Sequence, residues 1–133
     1  MAVFGAPVHN PQHAEAAVRA ALDMQAAISG LDREKPIEDI AIKVGIGINS
    51  GVMVAGSLGS EKRMEYTVIG DDVNVASRLT SLAKAGEILI SKRTYELINK
   101  ENNDLKIEER GKILVKGRKM RIDVFNVLSF MVL

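Results

Sequence analysis

The chain has 133 residues, no cysteine, and 18 Lys and Arg against 17 Asp and Glu, a formal net charge of +1. That balance argues against a broad polyanion-binding surface, and the missing cysteines exclude a disulfide framework and thiolate metal sites. The length fits one domain over residues 1–133, and 47% hydrophobic with 26% charged residues is ordinary for a globular chain. No apolar run approaches the roughly 20 residues that cross a bilayer. Met1–Val8 lacks the basic start and long apolar core of a signal peptide, so a cytoplasmic location is expected.

Ala2–Phe4 is a short apolar run stopped by Gly5-Ala6-Pro7, the outline of a strand with no partner before it. Pro11 opens a helix expected to reach about Ser29 and to end at Gly30. Ala14, Ala17, Val18, Ala21, Met24 and Ile28 form its apolar stripe. His9 and His13 have the spacing of a metal pair, but Pro11 lies between them and no third ligand is near. His13 reads instead as a first-turn residue. Asp32–Asp39 is polar, contains Pro36 and reads as a loop.

Ala41–Asn49 is the clearest strand, with Ile42, Val44, Ile46 and Ile48 alternating with Lys43, Gly45, Gly47 and Asn49. Its bare glycine face marks helix–sheet packing, a bulge or a bound ligand. A second strand is expected over Val52–Ala55. Gly56–Ser60 reads as a loop without the Walker spacing, and Glu61-Lys62-Arg63 as a charged turn.

Met64–Arg78 then reads M-E-Y-T-V-I-G-D-D-V-N-V-A-S-R. Its first half alternates as a half-buried strand. Gly70 turns the chain, and Asp71 is expected to cap the following helix. Val73, Ala76 and Leu79 form an apolar face, while Asn74 and Arg78 neighbour each other on another. An amide beside a guanidinium suits a negatively charged ligand, because the guanidinium is a rigid fork for phosphate oxygens. The helix is expected to end at Ala85-Gly86. A strand follows over Glu87–Ile90, then a helix capped by Ser91 and reaching about Lys100. Leu105–Lys116 and Met120–Leu128 read as two strands joined at Gly117-Arg118-Lys119, and residues 129–133 as an apolar tail. The alternation of strands and helices predicts an α+β fold, with helices packed on a mainly antiparallel sheet.

The stretch E-Y-T-V-I-G-D-D-V-N-V-A-S-R resembles the signature of the class III adenylate and guanylate cyclase catalytic domains. Two further segments are similar to that family: A-V-F-G-A-P at 2–7 and V-K-G at 115–117. The resemblance runs from Met1 to about Leu128. It implies a ferredoxin-like core and a composite site between two such domains. There the ribose 3′-hydroxyl attacks the α-phosphorus, and pyrophosphate leaves. Two Mg or Mn ions held by two Asp assist that displacement in the family. By the same resemblance Asn74 would orient the ribose, Arg78 would stabilise charge on the α-phosphate, and Lys116 would hold the β- and γ-phosphates. Lys62 or Arg63, at a hairpin tip, would lie near the triphosphate. Thr67 stands where the family reads the purine edge, and favours ATP.

Both metal Asp of the family, and its second base-reading residue, lie upstream of the A-V-F-G-x-P segment. They would precede Met1. No metal ligand is therefore assigned here. Asp71 and Asp72 are discounted as substitutes, because adjacent helix residues do not share a face. The expectation is an intracellular signalling domain that needs a second cyclase domain, as homodimer or complementing subunit, and is inactive alone. The alternatives are a catalytically inert cyclase-homology module and an unrelated ferredoxin-like scaffold for protein association.

Overall fold

The computed structural model describes residues 1–34, 42–99, 104–115 and 117–130. Lys116, and with it one expected site residue, lies outside that set, as do Ala41 and Lys100 at two expected element ends. Among the described residues, three helices and six strands follow in chain order: α1 (His13–Glu34), β1 (Ile46–Ile48), β2 (Val54–Ser60), β3 (Arg63–Ile69), α2 (Asp71–Leu82), β4 (Ile88–Ser91), α3 (Lys92–Asn99), β5 (Leu105–Leu114) and β6 (Arg121–Phe130). Four strands form one sheet in the order β1-β4-β6-β5, and β2 and β3 form a separate ribbon. Among the described residues, β1 and β4 pair in parallel and the other pairs are antiparallel. This is the expected α+β architecture, a ferredoxin-like core.

The sheet is covered on both faces. Ala14, Val18 and Ala21 of α1 pack with Ile98 of α3 against Ile88 and Ile90. Val75 and Leu79 of α2 pack against Leu89, Val124 and Val115 on the other side. All four residues of β4 are buried, because successive side chains alternate between two apolar layers. At β5 a bulge changes which layer the strand feeds. Leu105 and Ile107 join the α1–α3 layer, whereas Ile113 joins the α2 layer although all three are odd-numbered. The register slips between Glu109 and Gly111, and Gly111 has φ +95°, a left-handed conformation that glycine adopts without steric cost. One inserted residue reverses the facing of everything after it.

Several expected boundaries move. The first helix does not stop at Gly30: α1 continues to Glu34 and takes in Asp32 and Arg33. A helix-interior glycine costs only about 1 kcal/mol relative to alanine, too little to end a helix whose neighbours favour it. Asn10 sits at its start, accepting the Gln12 N–H on its side chain at 3.0 Å and the His13 N–H on its carbonyl at 3.1 Å. Met24 falls off the buried stripe and is 54% exposed.

The Ala41–Asn49 strand pairs only over Ile46–Ile48. The Val44 carbonyl is used instead by Gln25 Nε2 at 2.8 Å and the Gly86 N–H at 2.9 Å. Gly56–Ser60 is not a loop but most of β2, paired residue for residue with β3 from Val54–Ile69 to Ser60–Arg63. Its glycines hid the strand from a reading based on side-chain type. Ala2–Phe4 forms no strand. The signature helix ends at Leu82, before the expected Ala85-Gly86, where Ala83 turns extended.

Candidate functional site

The parallel pair β1–β4 places the end of β1 beside the start of α2. Gly45 and Gly47 face that helix: a methyl at Gly47 would press into the backbone of Leu79 and Thr80, and one at Gly45 into Ala83. Of the readings left open for the bare face, close helix packing is the one the structure adopts. The ligand reading of these two glycines is set aside, because α2 occupies the space.

With α2 seated this way, Val75 and Leu79 are buried, and Asn74 and Arg78 are exposed on another side of the helix. Asn74 lines a shallow open cleft of about 250 Å³ with Val73, Gly70, Ile69 and Val68. The cleft therefore joins the first turn of α2 to the end of β3. Thr67 is half-buried and pairs with Gly56, where no heavy atom lies within 4 Å of an added methyl. Period-2 alternation puts Thr67 and Ile69 on one ribbon face with Gly56 and Val54. Val54 is 74% and Ile69 53% exposed. Arg78 makes no ion pair among the described residues. Asn74 and the end of the Thr67 strand are thus brought to one cleft. Arg78 follows one turn along the helix. Lys62 is exposed at the turn between β2 and β3.

Asp71 is not the cap. Gly70 occupies that position, with its carbonyl accepting the Val73 N–H at 3.2 Å, and Asp71 is the first residue of α2. The Asp71 carboxylate accepts instead from Arg118 Nε at 2.6 Å. Arg118 Nη2 donates to Asp72 Oδ1 at 3.0 Å, and Asn49 Nδ2 donates to the same oxygen at 3.0 Å. Adjacent helix residues do converge here, because one guanidinium fork reaches both carboxylates. Hydrogen bonding to Asp71 comes first, with the charges of both carboxylates, in raising the Arg118 guanidinium above its ordinary value.

Behind Asp72 the network goes inward. Asn49 Oδ1 accepts from Ser91 Oγ at 2.7 Å, and the Thr94 hydroxyl lies 3.2 Å from Ser91 Oγ and 2.9 Å from Ser50 Oγ. Ser50, Ser91 and Thr94 are all buried, and each has a partner. Ser91 also accepts the Thr94 N–H at 3.3 Å, the expected cap of α3. Gly51 is required beside this network, since a methyl there would overlap the Asp72 carboxylate. Sequence reasoning missed Arg118 and Asn49. The one available signal was the Asp71-Asp72 pair, whose two adjacent charges call for a cation without indicating where in the chain it lies.

The donor set does not fit a divalent cation at Asp71 and Asp72. A guanidinium already stands between the two carboxylates, and an amide holds the second. Among the described residues, no group of three or more His, Asp or Glu side chains gathers as a metal site. His9 and His13 accordingly belong to no such group.

On this α+β core, α2 therefore presents an exposed amide and, one turn on, an exposed guanidinium, the amide opening on a shallow cleft. Comparison with known proteins gives the family. The family described as adenylate and guanylate cyclase catalytic domain matches residues 1–129, and the chain belongs to it. It is 42% identical over 118 residues to soluble guanylate cyclase 89Da of Drosophila melanogaster, covering 89% of this chain and 16% of that protein. It is 37% identical over 118 residues to an adenylate cyclase of Mycobacterium bovis, covering 89% of this chain and 25% of that one. Among solved structures, the adenylyl cyclase CyaB of P. aeruginosa superposes with a TM-score of 0.83 at 35% identity, over 96% of this chain and 66% of that one. The chain thus spans a quarter or less of the length of these two relatives. No described helix is long and apolar enough to cross a membrane.

Proposed function

We propose that this chain supplies the transition-state half of a composite nucleotide-cyclising site, acting on ATP in signal transduction. The carrying observation is the placement of Asn74 and Arg78. Both are exposed on one side of α2, and Asn74 opens on the cleft at the end of β3. Asn74 orients the ribose so that its 3′-hydroxyl faces the α-phosphorus. Arg78 meets the charge that builds on the α-phosphate oxygens as the new P–O bond forms and pyrophosphate departs. Lys116 holds the β- and γ-phosphates. Thr67, on the open face of the ribbon, reads the purine edge and sets the preference for ATP over GTP.

The carboxylates next to the helix are occupied by Arg118 and Asn49, so Mg or Mn is held by ligands other than Asp71 and Asp72. The site is completed by a second cyclase domain. The exposed Val54–Ile69 pair on the ribbon provides apolar surface beside the cleft for that contact. By itself the 133-residue chain turns over little or no ATP.

A mixing experiment tests this. The chain is combined with a cyclase domain that retains its metal carboxylates but lacks the Asn and Arg of its own helix. Cyclic AMP formation on mixing, lost with Arg78→Ala, is the expected result. Equal cyclic AMP output from the isolated chain, or from the Arg78→Ala mixture, refutes it.

A further inference from the structure

We infer that Arg118 is a positioning residue for the anion-binding side of α2: it neutralises the carboxylate that shares a stripe with Asn74 and Arg78 and fixes the helix's first turn. This deepens the nucleotide reading and rests on it. Asp71, Asn74 and Arg78 stand at i, i+3 and i+7, which places them along one face of the helix. An acidic residue at the head of a stripe that receives phosphate is a liability. Its bare charge would repel the ligand and attract the cations meant for it. Asp71 is exposed, so burial does not silence it. Arg118 does, through a 2.6 Å hydrogen bond from Nε that turns the carboxylate toward the β5–β6 connection.

The same guanidinium grips Asp72 at 3.0 Å, and Asp72 is tied through Asn49 to the end of β1. Arg118 is itself fixed by donating its backbone N–H to the Val115 carbonyl at 3.0 Å, and Val115 is buried under α2. The first turn of α2 is therefore clamped from the sheet side and from the hairpin side. A planar fork is needed for this. Lysine at position 118 would neutralise one carboxylate but could not hold both in the observed geometry.

The test is ATP titration and amide hydrogen exchange on the full 133-residue chain. Arg118→Gln is expected to weaken ATP binding about tenfold, because the Asp71 charge at the head of the stripe is left unneutralised beside the anion. Arg118→Lys falls between, and serves if the Gln variant does not fold. The triple variant Arg118→Gln, Asp71→Asn, Asp72→Asn is expected to return to within about threefold of wild type, because the repelling charges are gone. A purely structural ion pair predicts no such rescue. Wild-type affinity in Arg118→Gln and in Arg118→Lys, or failure of the triple variant to recover, overturns the inference. If the wild-type chain binds no ATP either alone or mixed with the complementing cyclase domain, the nucleotide reading falls on its own. Arg118 is then judged on exchange in the free protein. Faster exchange at Val73–Val75 in Arg118→Gln upholds the clamp, and unchanged exchange overturns it.

Discussion

Replacing Gly47 by alanine is the sharpest probe of how α2 is seated. The added methyl would lie 2.7 Å from the Leu79 carbonyl carbon and 2.7 Å from Thr80 Oγ1, and closer still to the Thr80 backbone nitrogen. Ordinary contacts between carbon atoms fall at about 3.5–4.0 Å, so the helix must move away by roughly 1 Å. Two of the three neighbours are backbone, which no rotamer change relieves. Overpacking of this kind costs about 1–3 kcal/mol, and the upper end applies. Alanine's lower backbone entropy offsets about 0.5–1 kcal/mol of it. The expected net loss is about 2 kcal/mol, or roughly 8 °C in Tm for a domain of this size. Urea unfolding followed by circular dichroism measures it. Gly56→Ala is the control: no heavy atom lies within 4 Å of its added methyl, and its stability is expected to stay within about 0.5 kcal/mol of wild type. If Gly47→Ala matches wild type, or if Gly56→Ala falls as far, the close-packing account is wrong.

Gly30→Ala is expected to stabilise the chain by about 0.5–1 kcal/mol, because Gly30 lies inside α1 with open space at its Cβ position; a lower Tm would show that the helix needs glycine there. Thr94→Val strips a buried hydroxyl that lies 2.9 Å from Ser50 Oγ, and should cost about 1–3 kcal/mol in chemical denaturation. A neutral result would mean that Ser50 finds another partner. Arg78→Ala should weaken ATP binding about tenfold or more while leaving Tm within about 1 °C, since the side chain is exposed; a matching stability loss would reassign Arg78 to a structural role. Thr67→Ala, which removes the hydroxyl proposed to read the purine edge, should lower the preference for ATP over GTP in paired titrations, and an unchanged ratio would remove Thr67 from base reading.

The local patterns in the chain were legible because they follow from backbone geometry. Helical spacing set Asn74 and Arg78 on an exposed side of α2, but the apolar face read as Val73, Ala76 and Leu79 is corrected by the fold, which buries Val75 with Leu79 and leaves Val73 and Ala76 half-buried. The apolar run Ile88–Ile90 and the Ser91 that follows it announced β4 and the cap of α3 together. Glycine was where the reading failed. Gly30 suggested a stop and sits inside a helix; Gly56 and Gly59 suggested a loop and pair within β2; Gly111 gave no warning of the bulge that turns β5 over. A residue without a side chain is permitted in every one of these settings, so only its neighbours in space decide among them.

What the sequence by itself determined, then, was the alternation of elements and the identity of the signature helix, since both depend on residues close along the chain. The tertiary structure alone decided what Asp71 and Asp72 do. Their partner Arg118 is 47 and 46 residues away, and reaches them because β5 and β6 join the same sheet that α2 covers. No spacing rule links such residues. Electrostatic pairing across a fold is set by where the hydrophobic layers place the backbone, and that placement is a property of the whole chain.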